Sequence, residues 1–324
     1  MNYNLLKEIA IASIQQASKL CEEVRKNIPQ AIEKEDKSPV TVADFGSQAL
    51  ICKALKETFP NIPIVGEEDA TELRKPESGD TINKITDYVK NIIPSATTDE
   101  VLQWIDYGNG KVGDCFWTLD PIDGTKGFLR QDQYAIALAL IVEGEVKLGL
   151  LGCPALKLSQ GETGWLFVAE RGKGAYRMPI AGGEMIKQKV VDKEDVSRFR
   201  FVESVEASHG NQSLQNTIAQ SVGITSESVR VDSQAKYGIV SSGEAALYLR
   251  LPSPKYPNYR ENIWDHAAGA IVVEEAGGKV SDMYGKPLDF ATASKMNDNR
   301  GVVVTNGIIH DTVINAIQSH NQNS

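Results

Sequence analysis

The 324-residue sequence predicts a layered α+β and α/β fold, with an α+β first half and an α/β second half. Three observations carry that expectation. Apolar residues at helical spacing alternate with short apolar, β-branched runs along the whole chain. The length is large for one core, so one large domain or two coupled ones are expected. A polar, Gly-containing stretch from Met178 to Lys189 offers a seam, dividing the chain into residues 1–185 and 186–324.

Taken in order, Leu5, Ile9, Ala12, Leu20 and Val24 recur with charged residues between them, which predicts an amphipathic first helix ending near Asn27-Ile28-Pro29. Glu33 to Ser38 reads as a solvated charged loop. A second helix runs through Ala49, Leu50, Ala54, Leu55 and Phe59, with Asp44 near its start, where capping is the plain explanation. Ile62 to Glu68 is a short strand ending in two acids. Residues 69–113 are polar and turn-rich, with a helical patch at Ile82, Ile85, Val89 and Ile92.

The run Phe116-Trp117-Thr118-Leu119 then ends in Asp120 and Asp123, with Pro121 between them and Gly124-Thr125 after. This predicts a buried strand stopping at a tight turn, because Pro lacks a ladder donor and Gly allows a conformation closed to other side chains. Two carboxylates beside the start of a helix can hold a divalent cation and a phosphate together, although Asp also caps turns without further function. Tyr134–Val142 and Val146–Leu151 read as a hairpin, with Ala135 to Ala139 open to either a helix or a strand. Trp165–Ala169 and Arg171–Tyr176 form another, and the two glycines there read as a turn, not a nucleotide loop. Phe199–Val202 is a strand. Asp232 to Gly238 is read as a turn offering Ser233 and Lys236, and Ala246 to Leu251 as a strand delivering Arg250 to its end. Ile263 to Ala276 opens and forms a helix with Asp265 at its start; Gly301–Thr305 is a last strand before a terminal helix.

A net charge of −9 argues against a nucleic-acid surface while permitting a small anionic substrate neutralised locally. Cys21, Cys52, Cys115 and Cys153 are scattered, which fits reduced thiols and a cytoplasmic address better than zinc or disulfides. No secretory signal or membrane span is expected.

Asp120-Pro121-Ile122-Asp123-Gly124-Thr125 resembles the D-P-[IL]-D-G-T signature of the lithium-sensitive, magnesium-dependent phosphatases, the superfamily of inositol monophosphatase and fructose-1,6-bisphosphatase. Ser38 to Asp44 resembles its S-P-V-T-x-x-D, Gly66-Glu67-Glu68 its G-E-E, and Trp264-Asp265 with Gly277-Gly278 its second signature. Lys126 to Arg130, the length of residues 69–113, Asp232 to Tyr237 and Tyr248 to Pro252 look most like the bisphosphate nucleotidase branch. The resemblance implies an αβαβα sandwich and two or three Mg²⁺ ions held by Glu67, Asp120, Asp123, Asp265 and the main-chain oxygen of Ile122. Asp44 and Thr125 would prepare the attacking water. Gly124, Thr125, His209, Ser233, Lys236, Arg250 and Asp265 would contact a small nucleotide substrate, the 3′-phosphate being removed from adenosine 3′,5′-bisphosphate and from its sulfated relative. Inhibition by lithium is implied on the same ground. Inositol polyphosphate 1-phosphatase or inositol monophosphatase activity stays open, as does a nucleotide-binding sensor without catalysis. Oligomeric state is open, with a monomer favoured.

Overall fold

The computed structural model describes residues 1–27, 31–33, 39–159, 161–192, 194–205, 211–253, 255–256 and 258–322. The chain opens with α1 (Tyr3–Lys26), the β1 (Ala31–Glu33) and β2 (Pro39–Thr41) hairpin, α2 (Val42–Thr58) and β3 (Ile64–Gly66). It continues with α3 (Gly79–Lys90), α4 (Thr98–Asp106), β4 (Cys115–Asp123) and the short α5 (Thr125–Leu129). Next come β5 (Ala135–Val142), β6 (Glu145–Lys157), β7 (Thr163–Glu170), β8 (Gly174–Pro179) and β9 (Ile186–Lys187). The remainder is β10 (Phe201–Glu203), α6 (Gln212–Ser221), β11 (Val229–Arg230), α7 (Ala235–Ser241) and β12 (Leu247–Arg250), followed by α8 (Ala267–Glu275), β13 (Lys279–Ser281), β14 (Val302–Thr305) and α9 (His310–Gln322).

Strands β3 to β9 form one sheet in sequence order; β11-β10-β12-β14-β13 form a second. Strand alternation converts these sheets into layers, because successive side chains leave opposite faces. In β5, Ile136, Leu138 and Leu140 pack with α1 and α2, while Ala135, Ala137, Ala139 and Ile141 face the core shared with α7 and α8. In the second sheet, Tyr248, Val302 and Val304 join that same central core, and Leu247, Leu249 and Val303 pack with α6 and α9. The result is the five-layer αβαβα sandwich. Its middle layer, α7 with α8, is packed tightly on both sides. A Cβ at Gly149 of β6 would lie 2.3 Å from Ile271 Cγ2, and one at Gly269 of α8 would lie 2.4 Å from the Tyr237 ring. That close approach explains why the alanine-rich segment, ambiguous in sequence, is a strand: small residues on its inner face admit α8.

Several expectations shift. The buried stripe of α1 runs through Leu6, Ala10, Ile14, Ala17, Leu20 and Val24; Ile9 packs at its edge, and Leu5 and Ala12 are exposed. Pro121 sits within β4, where the pairing with β5 changes register between Asp120 and Asp123, so the ladder steps around the proline and does not end at it. Lys236 lies in a helix, not a turn. α4, with its Thr97/Glu100 capping box, and α6 were not anticipated. Glu33 ends β1, and residues 34–38 of the expected charged loop lie outside the described residues. The four cysteines are free thiols, and all but Cys115 are buried. No helix among the described residues is long and apolar enough to cross a membrane.

Candidate active site

The register change in β4 is where the chemistry gathers. Asp120 is 2 % exposed, and its Oδ1 accepts from the Ile122 amide at 3.1 Å, a side-chain-to-backbone turn that bends the strand end. The Ser47 hydroxyl of α2 donates to the Pro121 carbonyl at 3.0 Å and fastens the bend from below. Gly124 follows at φ +88°, a left-handed conformation that a side chain would strain, and a Cβ there would come within 3.0 Å of Ser233 Cβ. The Thr125 hydroxyl donates to the Ile122 carbonyl at 3.3 Å.

The other acids arrive on different elements. The Glu67 amide donates to Leu119 O at 3.1 Å, which docks the end of β3 beside β4. The Gln48 side chain, from α2, accepts from the Glu68 amide at 3.1 Å and donates to Ile105 O at 2.9 Å, so the Glu67–Glu68 corner is held by an amide far from it in sequence. Glu67 is exposed to the cavity and Glu68 is buried. Asp44 lies in the first turn of α2 and is 1 % exposed. Asp265 ends a short 3-10 turn, Ile263–Asp265; its Oδ2 accepts from the Asn262 amide at 3.3 Å, so it caps that turn while facing the cavity.

One oxygen from each of Asp120, Asp123 and Asp265 lies within 4.8 Å of the other two. Burial, then repulsion from Glu67, Asp123, Asp265 and Asp44, raises Asp120 well above the usual carboxylate range. Burial likewise raises Asp265, against the opposing pull of Arg250, and Asp123, against Lys236 and Arg250. Five carboxylates are thus electrostatically linked across β3, β4, α2 and the start of α8. An all-oxygen, anionic donor set of this kind suits a hard divalent cation, and the residues present fit one.

The opposite side of the cavity is cationic. Lys236 is 2 % exposed, donates to Val231 O at 3.2 Å and lies 5.2 Å from the Tyr248 ring centroid. Burial holds its ammonium down to about 8, with Asp123 opposing that shift. Arg250, at the end of β12, donates through Nε to Glu261 Oε2 at 2.8 Å. Burial raises Glu261, but Arg250 and His266 outweigh it and bring this carboxyl down to about 2. His266 Nε2 lies 3.4 Å from the same oxygen, and its Nδ1 2.7 Å from the Tyr237 hydroxyl. Glu261, Asp265 and His266 are also close enough to share an ion, but Glu261 is committed to Arg250, which makes this the weaker cation site. Ser233 adopts φ +67° and accepts from the Ala235 amide.

Gln234 joins the two sides. Its amide donates to Asp123 Oδ2 at 2.5 Å, its Nε2 to Trp264 O at 2.8 Å, and its Oε1 accepts from the Gly269 amide at 3.2 Å. Arg130, which follows α5, pairs with Asp232 next to it. A cavity of about 230 Å³ is lined by Glu67, Asp123, Gly124, Thr125 and Asp265 together with Ser233, Lys236 and Arg250. Asp120, Ile122 and Asp44 are buried and are not among the residues that line it. His209 lies outside the described residues. Sequence reasoning missed Ser47, Gln48, Gln234, Glu261 and Tyr259; of these Gln234, inside the Asp232 to Tyr237 motif, and Glu261, four residues before Asp265, stand where a reader of the motifs would look.

A family model described as the inositol monophosphatase family matches residues 5–322. The chain is 41% identical over 341 residues to the 3′(2′),5′-bisphosphate nucleotidase of Schizosaccharomyces pombe, covering 98% of this chain and 96% of that one. It is 42% identical over 326 residues to the enzyme of the same name from Oryza sativa, covering 93% and 90%. Among solved structures it is similar to the Thermotoga maritima IMPase, with a TM-score of 0.67 at 22% identity and 98% of each chain covered. CysQ from Bacteroides thetaiotaomicron gives 0.64 at 22% identity, covering 94% of this chain and 98% of that one.

Proposed function

The chain belongs to the inositol monophosphatase family, and on that premise we propose that it is a Mg²⁺-dependent phosphatase that removes the 3′-phosphate of adenosine 3′,5′-bisphosphate, giving AMP and inorganic phosphate. Its sulfated relative, the sulfate-donor nucleotide, is a further substrate on this reading. The relatives that share about two-fifths of its residues carry the name of that activity. The observation that carries the choice of substrate is one juxtaposition: carboxylates with oxygens within 4.8 Å of one another, and Lys236 with Arg250, at one and the same cavity. A ligand with phosphates at both ends matches that lining; an inositol monophosphate would bring no second phosphate to Lys236 and Arg250.

Glu67, Asp120, Asp123, Asp265 and the Ile122 carbonyl are the residues that would hold the cations. Two or three such ions, when bound, would neutralise the phosphate, stabilise the leaving oxygen and acidify water. Asp44 then serves as the buried carboxylate that accepts the proton of the attacking water, with the Thr125 hydroxyl orienting that water. Asp123 and Asp265 also set the position of the 3′-phosphate. Lys236, Arg250 and Ser233 hold the 5′ end, with His209 as a further substrate contact, and Gly124 lets the backbone approach the phosphate closely. No covalent phospho-enzyme enters this scheme. Free, mostly buried thiols support a cytoplasmic setting.

Phosphate release from adenosine 3′,5′-bisphosphate and from inositol 1-phosphate, each with and without Mg²⁺, tests the reading. Rapid release from the nucleotide only with the metal is expected. Preference for the inositol ester would move the chain to the other branch, and nucleotide binding without release would make it a sensor.

A further inference from the structure

The cavity has an aromatic wall that the phosphate chemistry does not use. Two tyrosines line it. Tyr248 is buried, lies beneath the Lys236 ammonium and faces Arg250. Tyr259 differs: it is 51 % exposed, yet it borders the same cavity. Its amide donates to Tyr256 O at 3.1 Å, and Arg260 Nη1 donates to its carbonyl at 3.2 Å, so the backbone that carries the ring is tied down. Burial, then the negative charges of Asp265, Glu261 and Glu67, raise its hydroxyl to about 12 against the opposing pull of Arg250. The hydroxyl is a protonated donor at physiological pH, on a ring that borders the same cavity as Glu67, Asp265 and Arg250.

We propose that Tyr259 is a substrate-contacting residue whose hydroxyl donates a hydrogen bond to the nucleotide between the two phosphate seats, on the 5′ side. Its surroundings explain the chemistry. Glu67, Asp265 and Glu261 are acceptors only, and a ligand bristling with phosphate and ribose oxygens needs donors. Lys236 and Arg250 supply charged ones; Tyr259 supplies a neutral donor on a stiff ring, which fixes orientation without adding positive charge beside the cations. This assignment rests on the nucleotidase reading of the cavity.

The test separates the two. Binding of AMP, which lacks the 3′-phosphate and is not turned over, is measured by titration calorimetry on wild type, Tyr259→Phe and Tyr259→Ala. Steady-state kinetics follow with adenosine 3′,5′-bisphosphate and with p-nitrophenyl phosphate, a monoester that has neither a second phosphate nor a ribose. The expected result is AMP binding weaker by about five- to tenfold in Tyr259→Phe, the size of one ordinary hydrogen bond. KM for the bisphosphate rises alongside, kcat stays within about twofold, and p-nitrophenyl phosphate hydrolysis is unchanged. AMP binding in Tyr259→Phe equal to wild type overturns the hydroxyl contact, including the case in which only Tyr259→Ala is weakened and the ring face alone matters. Should wild type release no phosphate from the bisphosphate, the proposed activity falls, and the AMP titrations still decide the role of Tyr259.

Discussion

At one end of the cavity Asp120, Asp123 and Asp265 bring like charges within 4.8 Å of one another, whereas at the other Arg250 already sits 2.8 Å from Glu261 and Lys236 donates to Val231 O. The first end is electrostatically incomplete by itself. Its carboxylates are raised by burial and by each other, so the metal-free fold works against its own site. The second end is partly satisfied before any ligand arrives, with Arg250 paired to Glu261 and Lys236 donating to Val231 O. The difference teaches how one cleft can demand ions at one side while recognising an anion at the other. Repulsion creates the appetite for cations, and prior pairing keeps the cations of the protein from migrating into the cage.

The largest expected effect breaks the carboxylate end. Asp123→Asn removes a ligand and should lower turnover by on the order of a thousandfold with adenosine 3′,5′-bisphosphate. Because it also removes one of the crowded buried charges, its metal-free melting temperature should stay level or rise, while the stabilisation that Mg²⁺ gives to wild type shrinks. Turnover near that of wild type would discard the metal assignment.

Arg250→Ala attacks the other end and should show the reverse balance. It strips Glu261 of its main partner and leaves a nearly buried carboxylate, so stability should drop by about 3 kcal/mol in urea unfolding. KM for the bisphosphate should rise by more than kcat falls. A variant as stable as wild type would mean that His266 alone satisfies Glu261.

The smallest effect concerns Lys236 and sharpens the comparison by pH. Its ammonium is depressed to about 8, so the charge is present below that pH and lost as pH rises through it. KM for the bisphosphate should therefore climb by about three- to tenfold between pH 7 and pH 9. In Lys236→Met that climb should be absent. An identical climb in the variant would assign it to another group.

Much of this site was legible because local chemistry announced it. Pro121 and Gly124 mark a bend, and two acids at a bend suggest a cation; the Trp264-Asp265 start of α8 shows as a cap before an apolar run. What stayed hidden was long-range. Gln48 works by reaching Ile105 O and the Glu68 amide, and Gln234 by spanning Asp123, Trp264 and Gly269, and no spacing in the sequence encodes such reach. In the fold, the strong hydrophobic runs were readable and the marginal elements were not. α4 did leave a signal, the Thr97-x-x-Glu100 capping box, which went unread within a polar stretch. On α1, Leu20 and Val24 lie on the buried face as expected, while Leu6 is buried in place of Leu5, because the two are equally apolar and only the packing decides between them.

The glycine-tight seating of α8 has a bearing on how such an enzyme could diversify. With Ile271 pressed into Gly149 and Gly269 pressed onto Tyr237, the platform beneath both phosphate seats tolerates no added bulk. Widening or narrowing the gap between those seats by thickening this platform would shift Asp265 and the Tyr237–His266 contact together. New substrate preferences would therefore have to be written in the rim, at positions such as Tyr259, while the spacing of the two anchors is inherited unchanged.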